Sequence, residues 1–127
     1  MATGNVPKWM DGTEEADYSN VEPSSSVSLA SHGAFRVRRT GPIVEIYGYH
    51  IKNNNAINSG SSVVLGTLDT KYRPRFYRAI FSAGSAGNPM GQIVIGHDSK
   101  NVTFYNCGST TWAAGTNINL YAIYIAE

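Results

Sequence analysis

The chain has little charge for its length and a single cysteine. Charged residues make up 15% of its 127 residues, against about 25% in typical soluble domains. Cys107 stands alone, which excludes an internal disulfide and a metal site built from several cysteines. No apolar run reaches the roughly 18 residues of a membrane-spanning helix, and the first residues lack the basic-then-apolar order of a signal peptide. We therefore predict one domain with no membrane span.

The few charges are unevenly distributed. Residues 1–23 carry one lysine against five acidic residues, a net charge of −4, whereas the rest carries nine basic against four acidic residues, a net charge of +5. The first segment also has few β-branched residues, so we predict a leader or linker over 1–23 and a folded domain over 24–127. The basic residues do not form a groove with interleaved aromatic platforms, so nucleic-acid binding is not predicted.

Helical patterns are missing, and short β-type segments take their place. Val, Ile, Tyr and Thr dominate the apolar runs, and Gly or Asn interrupts them, which favours strands. We predict strands over 27–29, 35–39, 43–51, 62–68, 75–83, 92–95, 101–106 and 117–126. So many short strands predict an all-β fold, an antiparallel β-sandwich of jelly-roll type or a related barrel.

Several predicted strands are apolar on both faces. In 117–126, Ile118 and Leu120 alternate with Tyr121 and Ile123. A two-layer sandwich leaves one face of each sheet in water, so a second apolar face indicates a second cover. Another copy of the chain in a closed ring provides that cover, and we predict a homo-oligomer.

The predicted strand 43–51 contains two tyrosines and a histidine near its end. Strict alternation places Tyr47 and Tyr49 on one face, and His50 on the other with Val44. We predict interface or core packing for the tyrosines and a buried position for His50.

Patterns of catalytic residues are also missing. The histidines and the carboxylates of the predicted domain show no nucleophile–base spacing, no zinc pair at helical spacing and no phosphate-binding loop. We predict no enzymatic activity and no cofactor.

A saccharide site is better supported. His97, Asp98, Tyr105, Asn106 and Trp112 lie within sixteen residues, at and around a predicted hairpin. An aromatic ring packs on the apolar face of a sugar while polar groups bind its hydroxyls. The polar flanks of Trp112 are compatible with an exposed ring. The alternative is that this ring fills the end of the core and that His97-Asp98 is an ordinary turn.

Arginine residues could add a contact to an anionic wall polymer. Arg73, Arg75 and Arg78 surround Pro74, and guanidinium groups pair with phosphate through two hydrogen bonds. We include Arg73 in the predicted saccharide site. The alternative role is protection of an exposed strand edge or a salt bridge between subunits.

Five segments occur in a distinctive order: GPIVEI at 41–46, LGTL at 65–68, YRP at 72–74, QIVIG at 92–96 and INLYA at 118–122. This order, over about residues 26–126, resembles the C-terminal head or tip domains of phage tail fibre, baseplate and receptor-binding proteins. The Tyr-Arg-Pro corner is its most specific part. The chain departs from the pattern where LDTK precedes the corner at 68–71, and in lacking a long helical or collagen-like stalk.

The resemblance implies a phage or prophage tail tip, made in the bacterial cytoplasm and located on the virion. It implies a homotrimer that contacts other tail or baseplate proteins and binds a bacterial cell-surface saccharide or wall polymer. Receptor-binding heads use His, Asp, Trp and Arg for this, which here implies roles for His97, Asp98, Trp112 and Arg73. The alternatives are a structural cap module of the virion that binds no glycan, and a stand-alone lectin-like module.

Overall fold

The structure is a computed structural model that describes residues 18–85 and 88–127. It contains eight strands: β1 (Ser19–Asn20), β2 (Val27–Thr40), β3 (Ile43–Asn53), β4 (Ser62–Thr67), β5 (Arg78–Ser85), β6 (Asn88–Gly96), β7 (Asn101–Asn106) and β8 (Asn117–Ile125). A 3-10 turn at Thr70–Tyr72 leads into the proline corner, and the described ranges hold no α-helix. All strand pairs are antiparallel, which confirms the predicted all-β antiparallel class.

The strands form one sheet that curls into a half-barrel, in the order β1-β2-β3-β8-β5-β6-β7-β4. Strand β5 pairs with β8 only at Ala83 and Gly84, and this narrow junction divides the sheet into two halves of four strands. The predicted sandwich has two separate sheets. In the described chain the two halves stay continuous, because β5 pairs with both β6 and β8.

The two edge strands of the sheet, β1 and β4, approach each other at the residues that follow β1. Pro23 forms an isolated bridge with Gly66, and the Ser24 N–H donates to the Leu65 carbonyl at 2.8 Å. A Cβ at Gly66 would lie 2.8 Å from the Glu22 carbonyl oxygen, so this close approach requires glycine. Residues 18–23 therefore belong to the fold, although the predicted leader included them. The remainder of that leader, residues 1–17, lies outside the described residues.

The inner face of the curled sheet forms one hydrophobic core. Its largest fully buried side chains come from both halves of the sheet: Phe35, Val44, Ile46, Ile51, Leu65, Ile93, Ile95, Val102, Phe104, Trp112 and Ile118. Strands β3, β7 and β8 alternate buried and more exposed positions, as strands with one solvent face do. The predicted strands 27–29 and 35–39 are one strand, β2, with an irregularity between Leu29 and Ala34.

Strand β3 contains a bulge that overturns one prediction. Gly48 pairs with Leu120 and Ile51 with Ile118, so two residues of β3 stand opposite the single Asn119 of β8. Gly48 and Ile51 are both buried, and Tyr49 and His50 both lie on the outer face. The prediction that His50 points inward is therefore wrong, because the extra residue breaks the alternation.

Candidate functional site

An open groove lies on the outer side of β5, β6 and β7, with a volume of about 290 Å³. Its floor comes from outward-facing positions of neighbouring strands, and its rim from the turn that joins β6 to β7. The lining residues are Tyr77, Arg78, Val94, Gly96, His97, Asp98, Ser99, Asn101, Thr103 and Tyr105. We call it the β5–β7 groove.

The turn between β6 and β7 is fixed to the segment before β5. The His97 N–H donates to the Tyr77 carbonyl at 2.9 Å, and the Lys100 N–H donates to the Gly96 carbonyl at 3.1 Å. Arg78 pairs with Gly96 in the sheet. These contacts hold the turn at one end of the groove, where Asp98 is exposed.

Three of the six predicted saccharide-binding residues line this groove: His97, Asp98 and Tyr105. Arg73 lies outside the lining, but its Nε donates to Glu127 Oε1 at 2.6 Å, and Glu127 Oε2 lies 2.9 Å from His97 Nε2. Arg73 therefore reaches the rim through Glu127. This connection could not be predicted from the sequence, because the three residues are far apart in the chain.

The other two predicted residues, Trp112 and Asn106, lie in the core. Trp112 is only 1% exposed and its ring centroid lies 4.6 Å from that of Phe104, so the prediction of an exposed ring is wrong. The Asn106 side chain donates to the carbonyls of Ile57 and Thr110, at 2.9 and 2.8 Å. Its amide oxygen accepts from the Gly108 N–H. Both residues therefore stabilise the fold behind the groove and cannot contact a ligand in it.

Tyr77 and Arg78 belong to the groove although the predicted site did not include them. The Tyr77 ring is 70% exposed, and the Arg78 guanidinium carbon lies 5.0 Å from its centroid. Neighbouring Phe76 is 71% exposed. The predicted strand over 75–83 did not indicate that Phe76 and Tyr77 are both exposed. The observed strand begins only at Arg78, and the residues before it form an exposed corner. Two adjacent aromatic residues between two arginines were the available signal.

His97 contacts a carboxylate at each ring nitrogen. Nδ1 lies 2.8 Å from Asp98 Oδ1, and Nε2 lies 2.9 Å from Glu127 Oε2. Only the imidazolium ion can donate both hydrogen bonds. The contacts with Glu127 and then Asp98 raise the pKa of His97 above its usual 6.5. The hydrogen bonds from His97 and then Arg73 lower the pKa of Glu127 below its usual 4.5.

The first prediction is that the charge on His97 depends on Glu127. Since the folded pKa of His97 is raised, its contribution to stability is complete below about pH 6.5 and disappears as the pH rises through the folded value. Glu127, whose pKa is lowered, contributes above about pH 4.5 and loses that contribution as the pH falls through its folded value. In an NMR titration, the His97 midpoint should lie above 6.5. Glu127→Gln should lower this midpoint more than Asp98→Asn does; equal midpoints in wild type and Glu127→Gln would contradict the network.

A second feature of the outer face is an apolar surface next to a carboxylate. Ile80, Tyr121, Ile123 and Ile125 are all exposed on β5 and β8; we call them the isoleucine patch. On the adjacent β3, Glu45 accepts hydrogen bonds from Arg38, from the Tyr121 hydroxyl at 3.0 Å and from the Tyr18 hydroxyl at 3.3 Å.

Glu45 is ionised despite partial burial. Burial alone raises the pKa of its carboxyl group, but the hydrogen bonds from Arg38 and Tyr121 outweigh this effect, and the pKa lies below its usual value. Burial and then the Glu45 charge raise the pKa of Tyr18 to about 12. The cluster thus holds the Arg38–Glu45 ion pair and two neutral hydroxyls beside the isoleucine patch.

Within 18–85 and 88–127, no group of His, Cys, Asp and Glu side chains is arranged to hold a metal ion. In the same part of the chain, no helix has the length and apolarity to cross a membrane.

The fold is that of phage receptor-binding heads, as the sequence resemblance predicted. The head domain of lactococcal phage bIL170, a receptor-binding domain, superposes with a TM-score of 0.70 at 17% identity, over 87% of this chain and 97% of that domain. The receptor binding protein gp15 of Listeria phage PSA superposes with a TM-score of 0.54 at 15% identity, over 99% of this chain and 78% of that protein. No protein-family model and no curated protein sequence matches the chain.

Proposed function

We propose that this chain is the head of a phage tail protein and that it recognises a host bacterium by binding a cell-surface saccharide in the β5–β7 groove. The observation that carries the proposal is the composition of that groove, where exposed Tyr77 and Tyr105 stand beside Arg78, Asp98 and Thr103. Aromatic rings with a few polar groups are the usual constituents of saccharide sites. The likeness to two receptor-binding structures supports the same role.

The groove suits binding and not bond cleavage. Glycoside hydrolysis needs a pair of carboxyl groups facing the substrate; the lining contains Asp98, and the other nearby carboxylate, Glu127, lies outside the lining and is bound to His97 and Arg73. Asp98 is exposed and contacts His97. Arg78 lines the groove and takes no part in the hydrogen bonds that join His97 to Asp98, Glu127 and Arg73. Its guanidinium group extends the proposed ligands to saccharides that carry a phosphate or a carboxylate. The proposed chemistry is therefore reversible recognition without a cofactor.

We also propose that the chain works as a homotrimer on the virion tail tip, with the isoleucine patch between copies. Tyr121, Ile123 and Ile125 follow one another as exposed residues on β8, and Ile80 is exposed on β5, the strand beside it in the sheet. Contact between copies would remove these side chains from water. The two halves of the sheet would then serve as the layers of a jelly-roll-type sandwich. The part of the predicted leader that precedes the described fold, residues 1–17, would connect the head to other tail or baseplate proteins. Three shallow grooves on one particle gain avidity from repetition.

The second prediction tests the groove. Arg78→Ala and Tyr77→Ala should each weaken binding to the responsive saccharide about tenfold, since each removes a charged or aromatic contact. Binding is measured on an array of bacterial surface saccharides and cell-wall polymers, followed by titration of the responsive one. Arg75→Ala and Phe76→Ala are the matched controls, because these residues flank the same corner but do not line the groove.

Each result of this experiment decides between functions. Loss of binding in the groove variants with retention in the controls supports the proposal. Wild-type protein that binds no saccharide or wall polymer contradicts it and favours the structural cap module. Binding that persists in both groove variants refutes the groove as the site.

A further inference from the structure

Exposed Tyr49 and half-buried His50 form a second ring surface, outside the β5–β7 groove. The two rings stack with their centroids 3.8 Å apart and an angle of 17° between their planes. Consecutive residues of a regular strand point to opposite faces of the sheet. The stack exists only because the bulge in β3 places both side chains on the outer face.

The backbone of His50 is held in an unfavourable conformation by both neighbouring strands. Its φ is 54°, in the left-handed region that is costly for a residue with a Cβ. On one side, its N–H donates to the Asn119 side-chain oxygen of β8 at 2.9 Å. On the other side, a Cβ at Gly33 of β2 would lie 2.9 Å from the His50 carbonyl oxygen, so β2 approaches closely. Strain that the surroundings impose in this way is concentrated at functional positions.

The surroundings of the stack leave it accessible to a ligand. Tyr49 is 49% exposed, and its partner residue across β2 is the small Ala34. Asn119 of β8 stands opposite the bulge and provides a neutral amide. The flat Tyr49 ring suits the apolar face of a sugar ring, and the neighbouring amide and imidazole groups suit hydrogen bonds with its hydroxyl groups.

We propose that the Tyr49–His50 stack is a second saccharide site, which binds the apolar face of a neutral pyranose. It extends the proposed function and depends on it only for the class of ligand, because the stack shares no residue with the β5–β7 groove. Two sites on one head would bind separate units of the same polymer and raise the avidity of the head for that polymer.

The experiment uses NMR spectra of the ring signals of Tyr49 and His50. The probes are the methyl glycosides of glucose, galactose, rhamnose and N-acetylglucosamine, added singly at millimolar concentration to the full chain. At least one glycoside should shift these signals and the side-chain amide signals of Asn119. Tyr49→Ser should raise the Kd of that glycoside by about threefold or more, whereas Tyr49→Phe, which keeps the ring, should bind like wild type.

His50→Gly separates the ring from the backbone. Glycine adopts the left-handed conformation without a Cβ clash, so this variant should melt at the same or a higher temperature than wild type. It should nevertheless raise the Kd by about threefold or more, because the stacked imidazole is gone. If His50→Gly does not fold, His50→Asn takes its place, because asparagine also tolerates this conformation.

Three results would overturn the inference: no glycoside shifts the Tyr49 and His50 signals, the ring-deleting variants bind like wild type, or Tyr49→Ser changes the oligomeric state. The last result would make the stack a contact between copies. Arg78→Ala in the groove should leave the glycoside shifts at Tyr49 unchanged. Failure of the groove proposal therefore remains distinguishable from failure of this one.

Discussion

Replacing Trp112 with alanine is expected to lower the free energy of unfolding by about 3–5 kcal/mol, the usual cost of deleting a large buried aromatic side chain. The ring is almost completely buried and packs on Phe104. The Trp112 backbone also exchanges two hydrogen bonds with Ile57, at 2.8 and 2.9 Å. Alanine would leave a cavity at this end of the core that the bridged backbone cannot close. Urea denaturation of the purified protein measures the change.

The same variant distinguishes a core role from a binding role. Trp112→Phe, which keeps an aromatic ring beside Phe104, should cost less than half as much. Saccharide binding per folded molecule should persist in both variants, because Trp112 does not line the β5–β7 groove. A Trp112→Ala protein of nearly unchanged stability that has lost binding would show that the ring is exposed, and our description of the core would be wrong.

Replacing Ile123 with aspartate is expected to convert the proposed trimer into monomers. Ile123 is 51% exposed at the centre of the isoleucine patch on β8. The aspartate side chain in a closed ring would bury three like charges, each costing several kcal/mol without a partner. Its nearest cross-strand neighbour is Glu45, which is already ionised and would repel the new carboxylate. Light scattering at a fixed protein concentration reports the mass of the particle.

The matched control for this charge is Gln92→Asp. Gln92 is exposed on β6, outside the isoleucine patch, so the variant should assemble as the wild type does. Ile123→Val keeps the apolar surface and should also assemble normally. A monomeric wild-type protein, or a trimer that persists in Ile123→Asp, would refute the proposed interface. Avidity for a saccharide surface should fall together with the mass, while the affinity of a single groove stays the same.

Local regularity explains which elements could be predicted. Strand β3 was predicted over 43–51 and spans Ile43–Asn53, and β7 was predicted with the bounds it has. In both, β-branched and aromatic side chains occur at the period of a strand, which depends only on neighbouring residues. The turn from Gly96 to Lys100 was also predictable, because it lies between two short apolar runs that are adjacent in the chain. The five ordered segments also indicated the receptor-binding head fold, which the two solved structures confirm.

Irregular elements could not be predicted in the same way. The bulge at Tyr49 and His50 depends on Asn119 and Gly33, which lie on other strands. Alternation alone assigned His50 to the wrong face. Similarly, the polar neighbours of Trp112 in the chain suggested exposure, whereas its burial results from Phe104 and Ile57.

The amino-acid sequence by itself determined that this protein is all-β and antiparallel, because strand propensity and alternation act over a few residues. It also determined the turn that carries His97 and Asp98. Only the tertiary structure decided which side chains share a surface. It brought Tyr77, Arg78 and Tyr105 into one groove, linked Arg73 to His97 through Glu127, and removed Trp112 from solvent. The physical reason is that these contacts join residues of separate strands, whose relative positions depend on how the whole sheet pairs and curls.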